Sequence, residues 1–259
     1  MTDGRRAALS RDEFLQWLMR EGSSRYHDRH PYHTLMHRGE LSADQLRQWV
    51  LNRYYYQTRI PVKDALIVSK SEDPQFRRLW LRRVQDHDGR NPGEGGLESW
   101  LRLARGVGLD VDEVRSCRSV LPEVRGACDS YVEFVRRATL LEAVASSLTE
   151  LFAPDLMQRR VEAWQQHYPW VSAESLEYFR ARMSHAAQDS KEGVEFVVTQ
   201  ATTYDLQQRC VLALITKADI LWSMLDGVYQ VYVGRDPSRR DHALGQGREH
   251  GWNDVETTA

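Results

Sequence analysis

The sequence is short of the features that mark several protein classes. Its three cysteines, Cys117, Cys128 and Cys210, are odd in number, widely spaced and form no CxxC pair. That argues against a disulfide framework or a thiolate zinc site and fits a reducing compartment. No apolar run reaches the roughly 18 residues of a membrane-spanning helix. The opening MTDGRRAALSRDEF carries no apolar segment of the export-signal kind, so a cytoplasmic protein without a membrane partner is expected. Charge of one sign is missing too. A net charge of -2 gives no broad basic field, so nucleic acid is not an expected partner, and any attraction for an anion must be built locally from a few arginines. No stretch alternates apolar and polar residues as a half-buried strand would. HExxH and the repeated Glu-x-x-His of helical di-iron sites are also absent.

The 259 residues, 41% hydrophobic and 28% charged, have the ordinary balance of a chain that buries a core. Helix starts are written plainly. Ser10–Glu13, Ser42–Gln45 and Asp110–Glu113 have capping-box spacing, where a side-chain oxygen and the residue three later satisfy each other's free amides. Asp73-Pro74 is an N-cap followed by proline at the first helical position. Apolar residues recur behind these starts at helical spacing: Phe14, Leu15 and Leu18; Leu46, Trp49 and Val50; Phe76, Leu79, Trp80 and Val84. Further helical stretches are expected over about 124–152, 157–167, 173–204 and 206–232. The expectation is one all-α catalytic domain over 1–233, with a polar, Gly- and Arg-rich tail over 234–259.

Several polar groups interrupt this pattern. Arg53, Tyr56 and Gln57 share one helix face, which is either a solvated stripe or one wall of a site, and Pro61 is expected to kink or break that helix. His87, in DHDG, ends a helix between two aspartates; the helix dipole and those carboxylates predict a protonated imidazole. Tyr178, Arg182, His185 and Asp189 form a second stripe. Lys217 sits in an apolar helix, where its head must reach solvent or meet an anion, and Glu150 has the same ambiguity in the acidic sense. The tract Tyr26–His33, with His37, is dense in histidine and open to a metal reading, but no cysteine or carboxylate set completes a ligand shell.

The blocks HPYHTLMHRG (30–39), NRYYYQTRIPVKDA (52–65), DHDG (86–89), SSLTELFAP (146–154), QHYPW (166–170), YFRAR (178–182) and DILWSMLD (219–226), in this order, resemble the pyrroloquinoline-quinone synthase family. That family lies in the heme-oxygenase-like helical superfamily, and the resemblance runs from about residue 10 to residue 233. It implies a bundle of about seven helices and a homodimer. It also implies an oxidase that closes a ring and removes eight electrons from a small acidic quinone precursor, a reduced tricarboxylate. Molecular oxygen is the co-substrate, hydrogen peroxide is released, and no metal or organic cofactor takes part. Pyrroloquinoline quinone is the product, and an accessory protein of the same pathway is a possible partner. Carried over by motif, His87, Tyr178 and Arg182 form the catalytic oxygen pocket. His27, Arg53, Tyr56, Gln57, Lys63, Tyr131, Glu150, Arg160 and Lys217 contact the substrate or line the remaining wall. The chain departs from the pattern at Met157, where the family often has histidine, so no proton transfer is expected from that position. A thiaminase-like enzyme or a non-catalytic quinone carrier are the other readings. The first wants a cysteine in the pocket, and all three cysteines fall outside the blocks.

Overall fold

In the computed structural model, residues 6–234 are described, except for the side chains of residues 184–188. The stripe residue His185 and the polar tail beyond Gly234 therefore lie outside the described residues. The described chain contains helices and no strand. In order these are α1 (Arg11–Arg25), α2 (Pro31–His37), α3 (Ala43–Ser69), α4 (Pro74–Asp88), α5 (Gly95–Gly106) and α6 (Val111–Ser116). They continue with α7 (Pro122–Arg137), α8 (Leu140–Ser146), α9 (Ala153–His167), α10 (Glu177–Gln200) and α11 (Tyr204–Tyr232). Short 3-10 turns at His27–Arg29, Ser147–Phe152 and Ala173–Leu176 join some of them.

Among the described residues there are eleven helices rather than about seven: one expected stretch is split in two, and α2 and α5 form where no helix is expected from the sequence. Thr139 makes a complete capping box with Glu142 and so starts α8 inside the single helix expected over 124–152. Ala138 before it is extended, ending α7. The expected boxes at Ser10 and Ser42 close reciprocally, whereas Asp110 caps Glu113 N–H in one direction only. Asp73 caps α4 with Pro74 in its first turn, as its sequence predicts.

Pro61 does not break α3. The helix runs on to Ser69 with Pro61 inside it. Proline removes the N–H that the carbonyl of Gln57 would use, yet α3 is packed on α4, α5 and α7, and that burial holds it helical. At about 40 Å, α3 is long enough to carry groups to both ends of the site.

Two apolar clusters build the core. One gathers Trp49, Trp100, Trp164 and Phe179 from α3, α5, α9 and α10, with rings meeting edge-on or tilted at centroid distances of 5.4–6.4 Å. The other gathers Phe14, Trp80, Tyr131, Leu148 and Leu214 from α1, α4, α7, the second 3-10 turn and α11. The polar groups singled out in the sequence project from the elements that meet between these clusters.

Candidate active site

Each predicted site residue belongs to an element held by that packing. Arg53, Tyr56, Gln57 and Lys63 come from α3, His87 from α4, Tyr131 from α7, Arg160 from α9, Tyr178 and Arg182 from α10, and Lys217 from α11. The first 3-10 turn carries His27 and the second carries Glu150. All are buried or nearly so, and contacts join them into several interior clusters. Arg53, 8% exposed, stacks on the Tyr56 ring at 4.1 Å. Lys217, 1% exposed, lies between the Tyr131 ring at 3.5 Å and the Tyr56 ring at 4.3 Å. Tyr178 donates to Gln57 Oε1 at 2.6 Å.

The cations of the set fall into two groups. Lys63 pairs with Asp64 at 2.7 Å and donates to Ser147 Oγ at 3.1 Å. Arg83 meets Asp64 at 3.6 Å and Asp189 at 3.7 Å, and bonds Glu150; Arg182 lies 3.9 Å from Asp189. Three cations here face three carboxylates. Burial works against the Glu150 charge, but Arg83, Lys63 and Arg182 outweigh it and hold the carboxyl down at about 2. Burial pushes Asp189 up to about 6.

The second group has no such partners. Among the described residues, no carboxylate forms an ion pair with Arg53, Arg160 or Lys217. Arg160 Nη2 reaches His33 Nε2 at 3.1 Å, its plane lies over Trp49 at 4.8 Å, and Nε has no partner. Lys217 Nζ also lacks one. Burial, then the charge of neighbouring Arg53, lowers Arg160 to about 9; burial, then Lys63 and Arg53, lowers Lys217 well below the lysine range. Such a group either gives up its proton or pairs with an anion that the protein itself does not supply.

The histidines follow from their partners. His33 Nδ1 lies 2.9 Å from the His27 carbonyl, so it must donate, leaving Nε2 to accept from Arg160. His27 Nδ1, 3.3 Å from His33 Nδ1, is then an acceptor, and its Nε2 carries the hydrogen. Burial, with Arg53, Arg160 and Lys217 nearby, keeps His27 neutral. These bonds, with His30 Nε2 at 3.1 Å from Asp226, account for His27, His30 and His33 as hydrogen-bonded imidazoles, while His37 Nε2 is buried without a partner.

His87 corrects the sequence expectation. Its Nδ1 faces the Arg83 carbonyl at 3.2 Å and so carries the hydrogen, while Nε2 is buried without a partner. Burial and the Arg182 charge push it down to about 3, so the imidazole is neutral and not protonated. The flanking aspartates fail to hold the proton because Asp88 is exposed while the ring is buried. Gly89, with φ +81°, ends α4 directly after it; a Cβ there would meet the Glu94 carbonyl at 2.7 Å. A neutral imidazole with a bare lone pair, near the Arg182 charge, is a base and acceptor, not a cationic donor.

Sequence reasoning missed Arg83, Asp64 and Met224. A signal existed for Arg83, which falls in the buried stripe Phe76, Trp80, Arg83, His87 at a position the helix would otherwise fill with an apolar side chain. Met224 Sδ lies 3.6 Å from Arg53 Nη1 and 3.9 Å from Cys128 Sγ. Cys128, expected away from the pocket, therefore stands beside it, because α7 and α11 pack together. Burial pushes its thiol up to about 12, which leaves it a poor nucleophile.

Known proteins agree with this architecture. A family model described as the TENA/THI-4/PQQC family matches residues 17–227. A pyrroloquinoline-quinone synthase from Pseudomonas savastanoi pv. phaseolicola is 49% identical over 231 residues, 89% of this chain and 92% of that protein. One from Rhizobium meliloti is 46% identical over 242 residues, 93% and 94% of the two chains. Among solved structures, a heme-oxygenase-like domain of unknown function from Shewanella denitrificans superposes with a TM-score of 0.71 at 14% identity, covering 87% of this chain and 94% of that one. A TenA homologue from P. horikoshii gives 0.68 at 11% identity, covering 84% and 98%; at such identities both speak to the fold alone. The chain belongs to the TENA/THI-4/PQQC family.

Proposed function

We propose that this protein is a pyrroloquinoline-quinone synthase. It closes a ring in a reduced tricarboxylate precursor and removes eight electrons from it, with molecular oxygen as acceptor and hydrogen peroxide released. The relatives' shared name supports the pathway, and the resemblance supports the chemistry, the homodimer, the cytoplasmic location and the lack of a metal or organic cofactor. One observation in the site carries the reading: Arg53, Arg160 and Lys217 are buried and, among the described residues, pair with no carboxylate. Three substrate carboxylates would supply the missing charge, and arginine suits them because its planar fork donates two hydrogen bonds at once.

In this reading the unpartnered Nε2 of His87 takes a proton from the substrate ring, since an electron-rich carbon acid must lose protons as it loses electrons. Arg182 and Tyr178 donate hydrogen bonds to the reduced oxygen species, stabilising charge that develops only during reaction. Binding a trianion favours the protonated form of His87, so the proton it accepts is retained better with ligand bound than without. Lys63, Glu150 and Tyr131 form the wall behind the ring, and His27 presents its Nε2–H. Met157 Sδ, 3.9 Å from Arg160 Nη1, has no proton to give.

The test is oxygen uptake and peroxide release on mixing the protein with the reduced precursor, together with product binding by absorbance titration. A carrier would bind the product and consume no oxygen. Cys128 beside the pocket is the one observation toward a thiaminase-like second reading, its protonated thiol counts against it, and full oxygen uptake by Cys128→Ala would remove it.

A further inference from the structure

Both arginines of the unpaired group rest on methionine sulfur. Arg53 Nη1 lies 3.6 Å from Met224 Sδ, and Arg160 Nη1 lies 3.9 Å from Met157 Sδ. A thioether is a weak acceptor, so these guanidinium hydrogens are available to any stronger one. A thioether is also a nucleophile toward peroxides, and both sulfurs line the interior of the site, beside the arginines assigned to substrate carboxylates and within reach of peroxide that diffuses from the Arg182 side of the same site. Met224 is 2% exposed and Met157 is 8% exposed, so an oxidant formed in the site reaches them more directly than one in bulk solvent.

We infer that Met224 and Met157 are oxidation sites for hydrogen peroxide, and that their sulfoxides close the anion site. This rests on the peroxide-releasing reading above. In each step a sulfur lone pair attacks one peroxide oxygen and the O–O bond breaks. The sulfur is oxidised by two electrons to the sulfoxide, and the other oxygen leaves with both hydrogens as water. The sulfoxide oxygen is a strong hydrogen-bond acceptor bonded directly to a sulfur already in contact with Nη1. It takes the donors a substrate carboxylate needs, and it adds volume inside a buried site. The neighbouring Cys128 thiol does not intercept the oxidant, because burial keeps it protonated and the thiolate is the reactive form. The device limits turnover in proportion to the peroxide that lingers.

The test treats the full-length protein, free of substrate, with a few equivalents of hydrogen peroxide. Peptide mass spectrometry then reads the gain of one oxygen at each methionine, and product affinity is titrated on the same samples. Met19, 39% exposed and on α1, serves as the surface control. The expected result is oxidation at Met224 or Met157 and a loss of product affinity of at least tenfold that tracks their occupancy, not that of Met19. Met224→Leu and Met157→Leu keep similar volume and cannot form a sulfoxide. The double variant, compared with its own untreated sample, should hold its affinity through the same exposure. Oxidation confined to Met19 both here and in the turnover arm below, unchanged affinity in protein oxidised at Met224 and Met157, or equal loss in the double variant overturns the inference. The first two outcomes are read on the parent protein and need no variant to fold. A second arm adds the reduced precursor and oxygen, with catalase to destroy escaping peroxide. Modification there supports both the inference and the reading beneath it. Modification by added peroxide alone leaves the two sites standing and overturns the internal release of peroxide.

Discussion

Lys217→Met should stabilise the empty protein and abolish tight binding of the product. The Lys217 ammonium has no hydrogen-bond partner; its contacts are the Tyr131 and Tyr56 rings, and the nearest strong charges include Lys63 and Arg53 of its own sign. At pH 7 the cost of this position has a ceiling of about 5 kcal/mol, because beyond that an ordinary lysine simply releases its proton. Cation–π contact returns about 1–2 kcal/mol while the amine is charged. Methionine fills a similar volume with no charge, so a net gain of about 1–3 kcal/mol is expected, or roughly 3–10 °C in Tm for a chain of this size. The gain has a pH signature. The folded-state pKa of Lys217 is lowered, so below the ordinary lysine value the unfolded chain binds the extra proton. Parent stability therefore rises with pH toward about 10.5, and the advantage of the variant shrinks along the way. Binding moves the other way: a substrate carboxylate left without its cation costs about 2–5 kcal/mol, or roughly 30-fold to several thousandfold in Kd. Thermal melts from pH 7 to pH 10 and absorbance titration with product measure both. A variant that melts below the parent at pH 7, or binds product within threefold of it, refutes the reasoning.

Arg53→Ala should weaken product binding by about 2–5 kcal/mol, seen in the same titration, with less effect on oxygen consumption once the site is saturated. His87→Asn should still bind product but consume oxygen about 10²–10⁴-fold more slowly in single turnover, since it removes the unpartnered imidazole lone pair assigned as the base. Acidification should destabilise the ligand-free protein. Burial lowers the folded-state pKa of His27, His33 and His87, so stability falls as pH drops below about 6.5, by up to about 1.4 kcal/mol per pH unit for each. Asp189, raised to about 6, opposes this between pH 6 and 4, and urea titrations across the range give the net slope. Extensive chelation should leave product binding and turnover unchanged; stoichiometric metal whose removal and return switch activity off and on would contradict this.

Helix starts were legible because they are local. A serine or aspartate three residues before its partner specifies its own cap whatever the rest of the chain does, and Ser10, Ser42 and Asp73 behave so. The same rule was available at Thr139–Glu142, and reading across it merged α7 with α8. Pro61 shows the opposite limit. Its local effect is to end a helix, and only contacts with α4, α5 and α7, distant in sequence, decide that it does not. The site residues were named from ordered motifs, because spacing alone cannot say which of several arginines turns inward. Met224 lay inside the block DILWSMLD without being singled out, Cys128 lay outside every block, and their place beside Arg53 depends on the contact between α7 and α11.

His87 failed in the sequence for a related reason, and the failure explains the design of the site. Two aspartates and a helix end are visible neighbours, but charge acts through distance and solvent, and sequence gives neither. In the fold the nearest effective charge is Arg182, which comes from α10 with its own partner Asp189. The paired group around Arg83 thus brings three cations and three carboxylates to a net charge near zero. Within that balanced wall a histidine stays neutral and keeps a free lone pair. The other group, Arg53, Arg160 and Lys217, has no such balance among the described residues, and in the proposed function it takes the anionic groups of the substrate. Proton transfer needs a neutral base, whereas carboxylate binding needs uncompensated cations, and one uniform environment could not hold both. Neutralising Asp189 as asparagine should test the separation. It removes one carboxylate from the balanced wall, frees Arg182 from its partner and exposes His87 to more positive charge. The imidazole should then become harder to protonate and the acid limb of the pH–rate profile should move to lower pH, while product affinity stays within a fewfold. A profile that stays in place while affinity falls would mean that the two walls work as one.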